Sequence, residues 1–232
     1  MSQTHPRGPA SRSRSAIVVA VAIIVAVFGV LVVEQATTPP RHVRPQAITM
    51  TYAGDSTTAQ PDSWLFQLDD SRVVVTSGFA QSGDTSAQIR FAVKPTKADV
   101  LVVMLGANNF KYPVTASNRR VVSDIDGIVK KVGAGHPVIS AVAPSDFDYW
   151  PNPAGGSRAI LISLNRAIKA DATRHGWSYI DPYASIRDPD TDAYTQSRFT
   201  SDGVHPSATG YRIVARALIG EILRAARGNG GR

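Results

Sequence analysis

From residue 48 to the C-terminus, short apolar segments alternate with longer segments whose apolar residues recur at intervals of three and four. The short segments predict β-strands at residues 48–53, 72–76, 99–105, 137–142 and 177–180. The periodic segments predict helices at residues 63–68, 85–93, 116–132, 157–175 and 207–227. Strands joined through helices run parallel, with the helices packed on the two faces of the sheet. The alternation therefore predicts an α/β fold, a three-layer α/β/α sandwich with a five-stranded parallel sheet.

Residues 16–33 form a continuous apolar stretch of 18 residues without a charged side chain or a proline. As a helix this stretch would be about 27 Å long, which is close to the thickness of the hydrocarbon core of a bilayer. We expect it to be a transmembrane anchor, because the apolar region of a cleaved signal peptide is normally shorter. Two alternatives remain open: a cleaved signal peptide, which would make the protein secreted, and a buried helix.

The residues around the apolar stretch predict its orientation. Three arginines precede the stretch and Glu34 follows it, so the positive-inside rule places residues 1–15 in the cytoplasm as a short basic tail. Residues 34–46 contain three prolines and predict a semi-rigid linker. We therefore expect residues 47–232 to form a single domain on the extracytoplasmic side of the membrane.

The composition excludes several kinds of chemistry. The chain has no cysteine, so disulfides, iron–sulfur clusters, thiolate zinc sites and cysteine nucleophiles are excluded. The net charge is +7, but residues 1–46 hold five arginines and one glutamate, which leaves +3 for the remainder. Its basic residues are scattered, so we expect no nucleic-acid partner. Residues 188–192 resemble the start of a calcium loop, but Ala193 occupies the position that needs glycine, so we expect neither a metal nor a cofactor.

A serine follows the first predicted strand directly, in the sequence Gly54-Asp55-Ser56. A serine at a strand-to-helix turn presents its Oγ at the edge of the sheet, where backbone N–H groups can stabilise an oxyanion. This position is typical of a nucleophile. The alternative is that Ser56 only caps a helix. The segment is not the Gly-x-Ser-x-Gly turn of α/β-hydrolases, because Thr58 stands where the second glycine belongs.

Two further residues follow the next predicted strands. Gly83 lies after the second strand, and its N–H can approach a developing oxyanion because no Cβ is in the way. Asn108 lies after the third strand and can donate its side-chain N–H to the same oxyanion. The alternatives are a turn glycine and a capping asparagine.

Asp202 and His205 lie three residues apart, just before the last predicted helix. A serine nucleophile needs a base that accepts its proton, and the base needs an acceptor that fixes its tautomer. Of the five histidines, only His205 lies at a predicted site, because the others lie outside the fold, at a strand start or at a helix end. Asp202 and His205 are therefore the candidate partners of Ser56.

These segments together resemble the SGNH (GDSL-type) hydrolase superfamily, whose four sequence blocks carry Ser, Gly, Asn and His in that order. The blocks correspond to Ser56 in Gly-Asp-Ser, Gly83 in Ser-Gly-Asp-Thr, Asn108 in Gly-Ala-Asn and His205 in Asp-Gly-Val-His-Pro. The match extends from Ile48 to the C-terminus. The resemblance implies a flavodoxin-like sheet with strand order 2-1-3-4-5 and ester hydrolysis through an acyl-enzyme.

The resemblance also implies a role for each residue. Ser56 is expected to attack the ester carbonyl, His205 to take and return the proton, and Asp202 to orient His205. The backbone N–H groups of Ser56 and Gly83, with the side-chain amide of Asn108, are expected to form the oxyanion hole.

Two positions depart from the usual pattern of this superfamily. The third block usually ends in Asp, whereas this chain has Asn109, which puts the hydrogen bonds that support this loop in question. Thr57 and Thr58 follow the serine, where Leu is usual at the first position. Neither change removes an atom that the expected reaction uses.

Three aromatic residues, Phe147, Tyr149 and Trp150, follow the fourth predicted strand. They suit stacking on a sugar ring or an aromatic ester, and the alternative is a loop packed on its own aromatic side chains. No long apolar lid is evident, which favours short acyl groups. We therefore expect a membrane-anchored serine esterase acting on acetyl-type esters of a carbohydrate, lipid or small molecule. An O-acyltransferase acting on envelope glycans and a non-catalytic binding domain remain alternatives, and the sequence does not predict the oligomeric state.

Overall fold

The computed structural model describes residues 47–111, 116–146 and 157–228, which belong to a compact unit spanning Gln46–Arg232. The predicted tail, anchor and linker, residues 1–46, lie outside the described residues. The same holds for the predicted aromatic residues Phe147, Tyr149 and Trp150. Within the described ranges, no helix combines the length and the apolar character needed to cross a membrane.

The described residues form one sheet of six parallel strands. These are β1 (Ile48–Gly54), β2 (Val73–Val75), β3 (Phe79–Ala80), β4 (Val100–Met104), β5 (His136–Ser140) and β6 (Ser178–Ile180). The strand order is β2-β1-β4-β5-β6, and β3 pairs with the C-terminal end of β1. The predicted parallel α/β sheet and its order are confirmed. The predicted count of five strands is wrong by one, because β3 has only two residues and therefore no recognisable pattern.

Five α-helices lie in the described part of the chain. They are α1 (Ser56–Ala59), α2 (Ser86–Ala92), α3 (Asn118–Val132), α4 (Ser157–His175) and α5 (Ala208–Arg227). The last four correspond to predicted helices, whereas the helix predicted at residues 63–68 is wrong. That segment forms turns, because Ser63 Oγ donates to the Thr58 carbonyl oxygen at 2.7 Å and Trp64 Nε1 donates to Thr58 Oγ1 at 3.1 Å.

The two faces of the sheet carry separate apolar cores. In β4, every residue is buried. Val100, Val102 and Met104 pack in the core that contains α5, and the alternate residues pack in the core that contains α2, α3 and α4. With both faces covered, the carboxyl ends of the parallel strands remain as the place where the connecting loops form a site.

Candidate active site

The turn after β1 brings Ser56 to the edge of the sheet. A Cβ atom at Gly54 would lie 2.3 Å from Thr58 Oγ1, so this turn requires glycine. The buried Asp55 is the N-cap of α1, because its carboxylate accepts from the Thr57 N–H at 3.1 Å and the Thr57 hydroxyl at 2.8 Å. Asp55, and not Ser56, therefore caps this helix. Ser56 lines a cleft.

Ser56, His205 and Asp202 form a continuous hydrogen-bonded chain. Ser56 Oγ lies 2.9 Å from His205 Nε2, and His205 Nδ1 lies 2.7 Å from Asp202 Oδ2. The backbone N–H groups of Val204 and His205 donate to the other carboxylate oxygen of Asp202, at 2.9 and 2.7 Å. The fold thus joins a serine and a histidine that are 149 positions apart in the sequence.

Two carboxyl groups of this site have shifted pKa values in opposite directions. Burial raises the pKa of Asp202, but hydrogen bonds from His205 and Val204 outweigh burial and hold the pKa below its usual value. Burial raises the pKa of Asp55 above its usual value, although hydrogen bonds from Thr57 partly offset it. Asp202 is therefore ionised at neutral pH and accepts the Nδ1 proton of His205, which leaves the Nε2 lone pair facing Ser56.

Contacts that could not be predicted from the sequence hold the loop that carries Asp202 and His205 in place. Tyr194 Oη donates to the Val204 carbonyl oxygen at 2.9 Å, and the Asp146 N–H donates to the Gly203 carbonyl oxygen at 2.7 Å. The Asp146 carboxylate also accepts from the Tyr194 N–H at 2.9 Å. No sequence signal identifies these residues, because each contact joins segments that are distant in the chain or depends on the backbone alone.

The two other candidate oxyanion donors line the same cleft as Ser56. Gly83 has a φ of +83°, a conformation that favours glycine, and a Cβ at this position would meet no atom within 4 Å. The Asn108 side-chain amide donates one hydrogen bond to the Asp84 carbonyl oxygen at 3.1 Å. An amide NH₂ group has two protons, so the second remains available for a bound oxyanion.

Asn109 is well supported in this loop. Its side chain is fully buried, with Oδ1 accepting from the Ser86 N–H and Nδ2 donating to Ser86 Oγ, both at 2.9 Å. The departure from the usual Asp therefore does not leave the loop without hydrogen bonds. The asparagine instead connects the turn after β4 to the first residue of α2.

The cleft has a volume of about 310 Å³. Its polar lining includes Ser56, Asp202 and His205. Its apolar lining is contributed by Met104, Leu105, Ala107, Val142, Ala143, Leu161 and Val204. Pro144 and Ser145, where the predicted aromatic loop begins, also line the cleft.

The acidic segment 188–192 does not gather its carboxylates for a cation. The Asp188 carboxylate accepts from the backbone N–H groups of Asp190 and Thr191, at 2.9 Å each. Asp192 forms an ion pair with Arg187. These side chains stabilise a turn.

One group of metal-ligand types exists elsewhere in the described part of the chain. Ligand atoms of Asp126, Asp171 and His175 lie within 4.8 Å of one another on α3 and α4, and none of these residues lines the cleft. Asp171 already forms an ion pair with Arg174, and His175 Nε2 lies 3.4 Å from Asp126. The group is therefore explained by an ion pair within α4 and by a contact between α3 and α4.

Comparison with known proteins identifies relatives of this arrangement. The sequence model of the GDSL-like Lipase/Acylhydrolase family matches residues 48–213, which include all the candidate residues described above that lie in the cleft. Among proteins with curated descriptions, none matches the chain.

Several solved structures share the fold. A GDSL-like lipase from Bacteroides thetaiotaomicron is 20% identical, with 76% of this chain and 88% of that chain covered and a TM-score of 0.61. A member of the lipolytic G-D-S-L family from Veillonella parvula is 21% identical, with 77% and 100% covered and a TM-score of 0.59. A carbohydrate acetylesterase family member from Sinorhizobium meliloti is 20% identical, with 77% and 99% covered and a TM-score of 0.57. At these identities the similarity shows a common fold.

Proposed function

The chain belongs to the GDSL-like lipase/acylhydrolase family, whose members are serine ester hydrolases, and from this premise we propose that it is a membrane-anchored esterase for short, acetyl-type esters. The observation that carries the proposal is the hydrogen bond of 2.9 Å between Ser56 Oγ and His205 Nε2. Asp202 on the opposite nitrogen of the ring completes a nucleophile, a base and an acceptor in the order that acyl transfer requires.

The proposed reaction has two halves. In the first, His205 Nε2 takes the hydroxyl proton while Ser56 Oγ forms a bond to the ester carbonyl carbon. The tetrahedral intermediate then expels the alcohol, which receives the proton from His205. In the second half, water gives a proton to His205 and attacks the acyl carbon, and the free acid leaves as Ser56 regains its proton. The ionised Asp202 stabilises the imidazolium in both halves.

The oxyanion of both tetrahedral intermediates needs hydrogen-bond donors that are in place beforehand. We assign this role to the backbone N–H groups of Ser56 and Gly83 and to the side-chain amide of Asn108. The assignment is supported by their common position on the cleft and by the positive φ of Gly83, a backbone conformation that residues with a side chain rarely adopt.

Asn108→Ala is expected to lower kcat by about 10²- to 10³-fold with little change in KM. The removed N–H group acts on charge that develops in the transition state, so the bound ester loses little. Steady-state kinetics with an aryl acetate measures this effect. Asn118→Ala, at a half-buried position on α3 outside the cleft, is the matched control and should retain wild-type kcat. A kcat for Asn108→Ala within about threefold of wild type would exclude this donor from the oxyanion hole.

The size of the cleft supports a short acyl group. Its volume of about 310 Å³ lies at the lower end of the range typical of small-molecule sites, and both the acyl group and the alcohol must fit. Leu161, Val142 and Ala107 supply an apolar surface for the acyl group. We expect kcat/KM for an aryl acetate to exceed that for the octanoate by at least about tenfold. Rates with acetyl, butyryl and octanoyl esters measure this, and a maximum at octanoyl would instead indicate a lipase.

Sugar acetates are the natural esters to test first. A protein with the same fold is described as a carbohydrate acetylesterase family member. We propose that Phe147, Tyr149 and Trp150 stack on the sugar, since the segment that leads to them lines the cleft.

The same triad serves an acyltransferase if a sugar hydroxyl replaces water in the second half-reaction. Product analysis with an acceptor sugar present separates hydrolysis from transfer.

We further propose that residues 16–33 anchor the protein in the membrane, with the esterase domain outside the cytoplasm. The support is the 18-residue apolar stretch and the arginines that precede it. Retention of the full-length chain in carbonate-washed membranes tests the anchor. Release of a shortened chain would indicate a cleaved signal peptide.

A further inference from the structure

Two adjacent asparagines connect the turn after β4 to the turn before α2. The Asn108 amide donates to the Asp84 carbonyl oxygen at 3.1 Å, and Asn109 Oδ1 accepts from the Ser86 backbone N–H at 2.9 Å. The first turn carries Asn108 and the second carries Gly83, which are two of the proposed oxyanion donors. The distance between these donors therefore depends on how the two turns are held together.

The hydrogen bonds around Asn109 have a fixed direction. A backbone N–H can only donate, so the Asn109 atom that faces the Ser86 N–H is the amide oxygen. The amide nitrogen then donates to the Ser86 hydroxyl at 2.9 Å, and this hydroxyl donates its single proton to Asp124 Oδ2 at 2.6 Å. The side chains of Asn109, Ser86 and Asp124 thus form a directed relay.

The relay is buried. Asn109 and Ser86 have no exposed surface and Asp124 is 6% exposed, while the other Asp124 oxygen faces the half-exposed Arg90 at 3.3 Å. In a buried network, a donor or acceptor that loses its partner is not compensated by bulk water. The relay therefore depends on which of its members donate and which accept.

We propose that Asp124 is a positioning residue that sets the geometry of the oxyanion hole through Ser86 and Asn109. Asp124 lies on α3 and does not line the cleft. By accepting the Ser86 proton, it leaves the Ser86 oxygen free to accept from Asn109, whose amide oxygen holds the backbone at the start of α2. The inference rests on the proposed function, since it takes Gly83 and Asn108 as oxyanion donors.

Exchanging the amide at position 109 and the carboxylate at position 124 distinguishes this positioning role from simple packing. Asn109→Asp keeps the size of the side chain but places carboxylates on both sides of one hydroxyl proton. Asp124→Asn alone still offers an oxygen to the Ser86 hydroxyl. In the double variant, the amide at position 124 donates to the Ser86 oxygen, and the carboxylate at position 109 accepts from both the hydroxyl and the backbone N–H. The relay is then complete with its direction reversed.

The experiment measures kcat and KM of the full-length protein for an aryl acetate. We expect Asn109→Asp to lower kcat by at least about tenfold and to change KM by less than about twofold. Asp124→Asn should stay within about threefold of wild type, and the double variant should return kcat to within about threefold. Deuterium exchange of the backbone at residues 83–86 should be faster in Asn109→Asp and normal in the double variant.

Asn118→Asp is the matched control, because Asn118 also donates to a serine, Ser163 Oγ at 2.8 Å, but on the exposed surface. Its kcat should equal that of wild type.

The relay is overturned if Asn109→Asp has wild-type kcat and exchange, or if the double variant is no better than Asn109→Asp. If Asn109→Asp does not fold, the double variant decides. A kcat within about threefold of wild type then supports the relay, and a larger loss overturns it. A wild-type protein that hydrolyses no ester contradicts the proposed function, and exchange at residues 83–86 still tests the relay.

Discussion

Replacing Ser56 with alanine is expected to lower kcat for an aryl acetate by at least about 10⁴-fold, because the variant lacks the oxygen that forms the acyl-enzyme. The activity that remains comes from substrate binding and the oxyanion donors, which the substitution leaves in place. Initial-rate kinetics on the full-length protein in detergent measures the loss. Ser163→Ala, on the exposed face of α4, is the matched control and should retain full activity.

A correctly folded Ser56→Ala variant is required for this comparison, and circular dichroism and thermal unfolding establish it. Asp55 rather than Ser56 caps α1, so we expect the unfolding temperature to change little. Activity of the folded variant within about tenfold of wild type would show that another residue is the nucleophile.

Asp202→Asn is expected to lower kcat by about 10³-fold or more. The backbone N–H groups of Val204 and His205 donate to Asp202 Oδ1, so the asparagine oxygen takes this place and its NH₂ group faces His205 Nδ1. Nδ1 must then accept a hydrogen bond, which puts the ring proton on Nε2. A protonated Nε2 cannot take the proton of Ser56. Steady-state kinetics at neutral pH measures the loss.

The control for this variant is Asp190→Asn, at an exposed position outside the cleft, which should keep wild-type kcat. The side chain of Asp202 is about half exposed, so water can replace part of its interaction with His205. Even so, a kcat for Asp202→Asn within about tenfold of wild type would contradict the assigned tautomer.

The fold could be predicted from the sequence where the signal is local. Every residue of β4 is buried, and its continuous apolar run gives this directly. The apolar residues of α5 recur at intervals of three and four, and this spacing likewise indicates that one side of the helix is buried. The segment at residues 63–68 was not predictable in this way, because a buried Trp64 bonded to Thr58 decides its conformation. Such a contact is formed by the fold and leaves no periodic pattern.

In the candidate site, too, some residues have a local sequence signal and others are placed only by long-range contacts. The proximity of Ser56, Asp202 and His205 was predictable because each belongs to a short motif next to a predicted strand or helix. Asp124 was not, because it is one of many charged residues along a helix, and only the folded chain brings it to Ser86 at 2.6 Å.

Covalent labelling of the full-length protein with a fluorophosphonate, followed by mass spectrometry of its peptides, tests directly whether Ser56 is the nucleophile. This reagent reacts with a serine whose hydroxyl is activated by a neighbouring base. We expect one labelled residue, Ser56, with no label in Ser56→Ala and slower labelling in His205→Ala. A folded wild-type protein that takes up no label, or that is labelled at a different serine, would contradict the assignment of Ser56 as the nucleophile.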